Sequence, residues 1–184
     1  TSQDRILTTH TGSLPRPAAL TELYAQRVEG VAIDEAALDE AGKRATRHVV
    51  RQQFASGIDV GNNGEQQRES FFFHVRHRLT GFGGSWTRHP RGDVERYPVF
   101  REMLLKQMAA RGGVSAFAPP KAVGAVAYRN PAQAAEEPAE FRAALAAQGE
   151  PFAEAFLTAP SPGIVAAAAK NEYYPDEAAY LDAL

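Results

Sequence analysis

The sequence predicts an α/β fold organised on a parallel sheet. Two observations carry this. Short apolar runs alternate with longer stretches of helical periodicity, in the order strand, helix, repeated four times. Polar, glycine-rich segments follow the first, second and fourth apolar runs. With right-handed crossovers those segments share one face, the carboxyl ends of the strands, where α/β folds bind ligands. The chain has 184 residues, 44% hydrophobic and 23% charged, which suits one soluble globular domain over residues 1–184.

Residues 5–9 read as the first strand, and Thr8 to Pro17 as a strand-to-helix turn carrying His10, Gly12, Ser13 and Arg16. Gly12 permits close backbone approach to a ligand, and Pro17 suits a first helical turn. A helix follows over 17–29, with Leu20, Leu23, Tyr24 and Val28 on one face and Gly30 as its stop. Asp34 caps a longer helix striped by Leu38, Ala41, Ala45, Val49 and Phe54 and ended by Gly57. Ile58 to Gly61 is the second strand, running into Asn62-Asn63-Gly64-Glu65. The pattern predicts a helix over 66–79 with Phe71, Phe72, Val75 and Leu79 inward, then a long loop over 81–98 containing Trp86. A short helix is expected around Met103 to Met108. A third strand over 122–128 reads as buried on both faces. Pro138 to Ala147 is the next helix, closed by Gly149, and 153–158 the fourth strand, ending in Thr158-Ala159-Pro160-Ser161-Pro162-Gly163. Ala166 to Ala169 reads as helix, and Asp176 caps a last helix.

Net charge is −2, so no basic field points to nucleic acid. No apolar run approaches the roughly 20 residues of a membrane span, and no secretory leader is read. The expected location is the cytoplasm. There is no cysteine, which excludes disulfides, thiolate catalysis and Cys-ligated zinc within the chain.

Glu65, just past a strand end, could hold a substrate ammonium, accept a proton or approach a metal. It could equally be an acidic residue favouring a helix N-terminus. Asp59, inside a strand, requires a partner and reads as structural. His10 lacks the spacing of a metal ligand, and reads first as hydrogen-bonded to its own loop. His74 and His77 fall side by side on a helix, with no third ligand evident. Arg88, Arg91 and Arg96, with His89, could meet an anion or simply lie on an exposed loop. Ser161 has no His/Asp partner in view, and reads as a pocket wall.

Three segments, in order and spacing, resemble the cobalamin-independent methionine synthase family in its short, single-barrel form. They are Thr9 to Pro17, Gln53 to Glu65, and Phe156 to Gly163. Gly81-Phe82 and Trp86 through Pro98 look like that family's long loop between its second and third barrel strands. The resemblance implies a (β/α)8 TIM barrel that transfers a methyl or other alkyl group to a thiol bound on zinc, as in methionine biosynthesis. It implies substrate-binding positions at Gly12, Ser13, Asn63 and Ser161, with Glu65 and His10 as catalytic candidates. The partners would be a small homocysteine-like thiol and an alkyl donor. A complete barrel usually needs about 250 residues, and the family's zinc ligands lie in its second half. The expectation is therefore the N-terminal half of a catalytic barrel, four parallel (β/α) units, with no metal ligand of its own. A second chain or a C-terminal half would supply the zinc site. Relatives use other thiols, including coenzyme M with epoxides. Alternatives of other classes are a non-catalytic binding half-barrel and a metal-free lyase or decarboxylase of related architecture.

Overall fold

The computed structural model describes residues 2–86, 92–110 and 119–184. Arg88, His89 and Arg91 lie outside these. The described elements, in chain order, are α1 (Ala18–Val28), α2 (Glu35–Ala55), β1 (Val60–Gly61), α3 (Val75–Arg78), β2 (Phe82–Gly83), α4 (Gly92–Arg96), α5 (Pro98–Ala110), β3 (Lys121–Ala122), α6 (Gln133–Gln148), β4 (Glu154–Ala155), α7 (Pro162–Ala168), β5 (Lys170–Asn171) and α8 (Glu177–Ala183). The chain forms two compact units. One comprises Thr1–Phe71 and Asn130–Pro160, the other Phe72–Arg129 and Ser161–Leu184.

In the first unit, α2 begins where expected. The Asp34 carboxylate accepts from the backbone N–H groups of Ala36 and Ala37, at 3.0 and 3.1 Å, satisfying two of the helix's unpaired donors. Its inner stripe is Leu38, Gly42, Ala45, Thr46, Val49, Val50 and Gln53. This face packs along α6. Val50, Phe141 and Ala144 form the core there, with Leu145, Phe152 and Leu157 against it. Phe54 meets Phe152 edge to face at 5.6 Å. β1 pairs in parallel with β4, Val60 opposite Glu154, and Thr9 bridges Val60 in parallel from the other side. Three parallel segments thus end together, placing residues 10–16, 62–66 and 156–158 after their carboxyl ends. The expected strand over 5–9 is reduced to that one bridge, and the strand over 153–158 to β4. Asp59 has the partner it requires. Arg5 pairs with its carboxylate, and the Thr8 N–H and hydroxyl donate to Oδ2 at 2.8 and 3.0 Å.

The second unit holds a mixed sheet in the order β2-β3-β5. β3 runs parallel to β5 but antiparallel to β2, so the all-parallel expectation fails here. The expected buried strand over 122–128 also shortens to β3. Ala122 is fully buried, whereas Val123 and Tyr128 are 50% and 59% exposed. The cause is local: Val123 keeps the register by donating to the Gly81 carbonyl, but the Gly124 N–H doubles onto the same carbonyl, a bulge that shifts the pairing until Tyr128 bridges Leu79 in the antiparallel sense. Gly81, at φ +82°, could not carry a side chain, because a Cβ would lie 2.6 Å from the Ala125 carbonyl oxygen. The helix expected over 66–79 survives only as α3. The preceding residues form separate backbone turns, the Gln66 N–H on the Asn63 carbonyl and the Arg68 N–H on the Glu65 carbonyl among them, rather than a continuous helix. The helix expected from Pro138 starts earlier, at Gln133, because Asn130 caps the preceding turn. The 81–98 segment contains β2 and α4, and the short helix near Met103 is the longer α5. Asp176 caps α8 through the Ala179 N–H at 2.8 Å, and the ring of buried Tyr180 stacks on Tyr174.

Candidate functional site

The site lies in the first unit, after the parallel strand ends. Two Asx turns build its floor. The Asn62 side chain accepts from the Gly64 N–H at 2.8 Å and the Asn63 side chain from the Glu65 N–H at 3.0 Å. Gln53 fixes the turn from α2, donating to the Asn62 carbonyl at 2.7 Å and accepting from its N–H at 3.1 Å. Gly64 and Glu65 are both left-handed, at φ +58° and +55°. Glu65 is the one non-glycine residue with positive φ among the described residues. Such a backbone costs on the order of 1–2 kcal/mol, and persists where its surroundings over-determine it.

They do so here. Arg16 donates to the carbonyls of Glu65, at 2.9 Å, and Arg68. The Arg16 guanidinium lies 5.8 Å over the Tyr24 ring, and burial lowers its pKa. Tyr24 donates to the Gln66 carbonyl at 3.0 Å, and burial holds its phenol well above the usual range. Leu14 closes over the turn, its N–H donating to the Gly64 carbonyl at 3.0 Å.

The Glu65 side chain is 4% exposed. Ser13 Oγ donates to Oε2 at 2.5 Å and Thr158 Oγ1 donates to Oε1 at 3.3 Å. Thr158 Oγ1 accepts in turn from Arg68 Nη1 at 3.4 Å. Arg68 spends its charge elsewhere. Its Nε and Nη2 both reach Glu137 Oε1, at 3.0 and 2.8 Å, in a pair whose side chains are 4% and 7% exposed. Asn63 Nδ2 donates to the same Glu137 oxygen at 3.2 Å. Among the described residues, then, the Glu65 carboxylate accepts from two hydroxyls and forms no direct ion pair, while the Arg16 guanidinium, held on the Glu65 and Arg68 carbonyls, attracts it through space. A buried carboxylate so placed is suited to receive a cationic or proton-donating group of a ligand.

Of the residues singled out in the sequence, Ser13, Asn63 and Glu65 come together. Gly12 sits beside them at φ +89°, with open space where a Cβ would be. His10 Nε2 lies 3.1 Å from the Gly12 carbonyl, within its own loop, and the His10 carbonyl accepts from Asn62 Nδ2 at 2.5 Å. Ser161 belongs to the second unit, where its Oγ accepts from the Ile164 N–H at 3.3 Å and caps α7. Arg96 lies on α4 and is exposed. Sequence reasoning missed Arg68 and Glu137, and reached Thr158 only as the first residue of the strand-exit segment, with Ser161 chosen in its place. Glu137 carried a signal, since it falls on the stripe that includes Phe141 and Ala144 at i, i+4 and i+7. No group of three His, Cys, Asp or Glu able to hold a metal occurs among the described residues.

No family model matches the chain, and no curated protein matches it. Among solved structures, it is similar to a B12-independent methionine synthase from Shewanella sp. W3-18-1, determined in complex with selenomethionine. The TM-score is 0.62 at 20% identity, over 95% of this chain and 43% of that one. The chain thus shares a fold with less than half of that enzyme. Among the described residues, no helix is long and apolar enough to cross a membrane.

Proposed function

We propose that this chain is the substrate-holding half of a TIM-barrel alkyltransferase that moves an alkyl group onto a zinc-activated thiol. The observation that carries the proposal is the buried Glu65 carboxylate, held by Ser13 and Thr158 on a left-handed turn, with no cation bonded to it among the described residues. That carboxylate receives the ammonium of an α-amino thiol such as a homocysteine-like substrate, while the Gly12-Ser13 loop lines the same polar end. The fold neighbour's ligand, selenomethionine, is an α-amino acid with an alkylated chalcogen, which supports a substrate of this class. The described residues do not fit a zinc ion. Zinc and its ligands are accordingly assigned to a C-terminal half or a second chain, which also closes the barrel.

Glu65→Gln tests the assignment. It removes the charge and keeps one oxygen to accept from a hydroxyl, the amide nitrogen replacing the other. Loss of a charge-assisted hydrogen bond of about 1.5–3 kcal/mol weakens an α-amino thiol roughly tenfold to a hundredfold. Calorimetric titration that finds unchanged affinity would overturn the reading.

A further inference from the structure

Thr158 stands between two charged systems. Its hydroxyl accepts from Arg68 and donates to Glu65. A hydroxyl has one proton, and the acceptor side of Thr158 is occupied by a guanidinium N–H, so the proton is directed toward the carboxylate. Arg68 cannot swing to Glu65 itself, because Nε and Nη2 are both engaged by buried Glu137. Glu137 is anchored further by Asn63, the residue whose other side-chain atom holds the Glu65 N–H. The ring of contacts is therefore closed: Asn63 fixes the Glu65 backbone and Glu137, Glu137 fixes Arg68, Arg68 orients Thr158, and Thr158 orients the Glu65 carboxylate.

We infer that Thr158 is a positioning residue, turned by the Arg68–Glu137 pair, that sets the rotamer in which Glu65 meets a cationic ligand. The arrangement has a purpose that direct pairing would defeat. An arginine bonded to the Glu65 carboxylate would occupy its oxygens, whereas a hydroxyl steers it and leaves no direct ion pair for the ligand to displace; Arg16, held on the Glu65 carbonyl, acts on it only through space. The inference rests on the proposed amine-binding role of Glu65.

The test compares Thr158→Val, Thr158→Ala and Thr158→Ser in the full chain, each checked by thermal melting. Two ligands are titrated, homocysteine and its analogue lacking the amine. Val and Ala are expected to weaken homocysteine roughly threefold to tenfold, as for one neutral hydrogen bond. They should leave the des-amino analogue unchanged, and Ser should restore wild-type affinity. The Glu65 carboxyl carbon resonance, followed without ligand at constant pH, should move in Val and Ala and return in Ser. An unmoved resonance, or equal weakening of both ligands, overturns the positioning role. If Glu65→Gln weakens homocysteine while Thr158→Val does not, the inference falls and the function stands. If Glu65→Gln changes nothing, the function falls and takes the inference with it.

Discussion

Asp59 shows how a single charged residue can be obligatory without touching a ligand. It immediately precedes β1, and Arg5 and Thr8 supply its partners. Those bonds hold its pKa well below the ordinary carboxylate value. A depressed folded-state pKa stabilises the protein above the unfolded value near 4, and the stabilisation is lost as pH falls below it. Asp59→Asn should therefore melt lower than wild type at pH 6–7, with the gap shrinking below about pH 4. Parallel melting curves over that range would contradict this. Glu65 is the opposite case: it is buried, its backbone is left-handed, and its carboxylate forms no direct ion pair with a described cation. Local sequence separates the two only by place, Asp59 within the apolar run and Glu65 just past its end. Their partners lie more than 50 positions away, Arg5 for one, Ser13 and Thr158 for the other.

At the scale of elements, the helices were the legible part. Asp34 and Asp176 cap α2 and α8 as their side-chain chemistry requires. The stripe of α2 was read with Leu38, Ala45 and Val49 in place, and all three are buried. Strands were less legible. Each described strand spans two residues, and the apolar run from Val123 to Tyr128 pairs only at its ends. Apolar alternation marks a chain suited to a sheet, but pairing depends on where neighbouring backbones lie, and here the Val123 and Gly124 N–H groups share the Gly81 carbonyl, a bulge that delays the next bridge to Tyr128 and Leu79. The α2–α6 contact should dominate the first unit's stability. Phe141, 4% exposed at its centre, should cost about 3–5 kcal/mol on truncation to Ala. Denaturant unfolding is the measurement, and a loss under 1 kcal/mol would mean that α6 is not part of this core.

For the whole molecule, the match to 43% of a methionine synthase chain and the absence of a three-ligand group among the described residues bear on one experiment. Purified alone, this chain should retain no stoichiometric zinc by elemental analysis, and should gain it only when the complementary half is supplied. A stable monomer with one zinc per chain by native mass spectrometry would sink the proposed division of labour. The sequence by itself determined α1, α2 and α8, the caps of the last two, and the strand-end turns at 10–16 and 62–65. These depend on periodicity, capping oxygens and turn residues, all local in the chain. Only the tertiary structure decided that Thr158, Arg68 and Glu137 join Ser13, Asn63 and Glu65, and that the Ser161 hydroxyl caps a helix. A hydrogen bond between residues 90 apart leaves no mark on local pattern, because it exists only once parallel strands bring their carboxyl ends together.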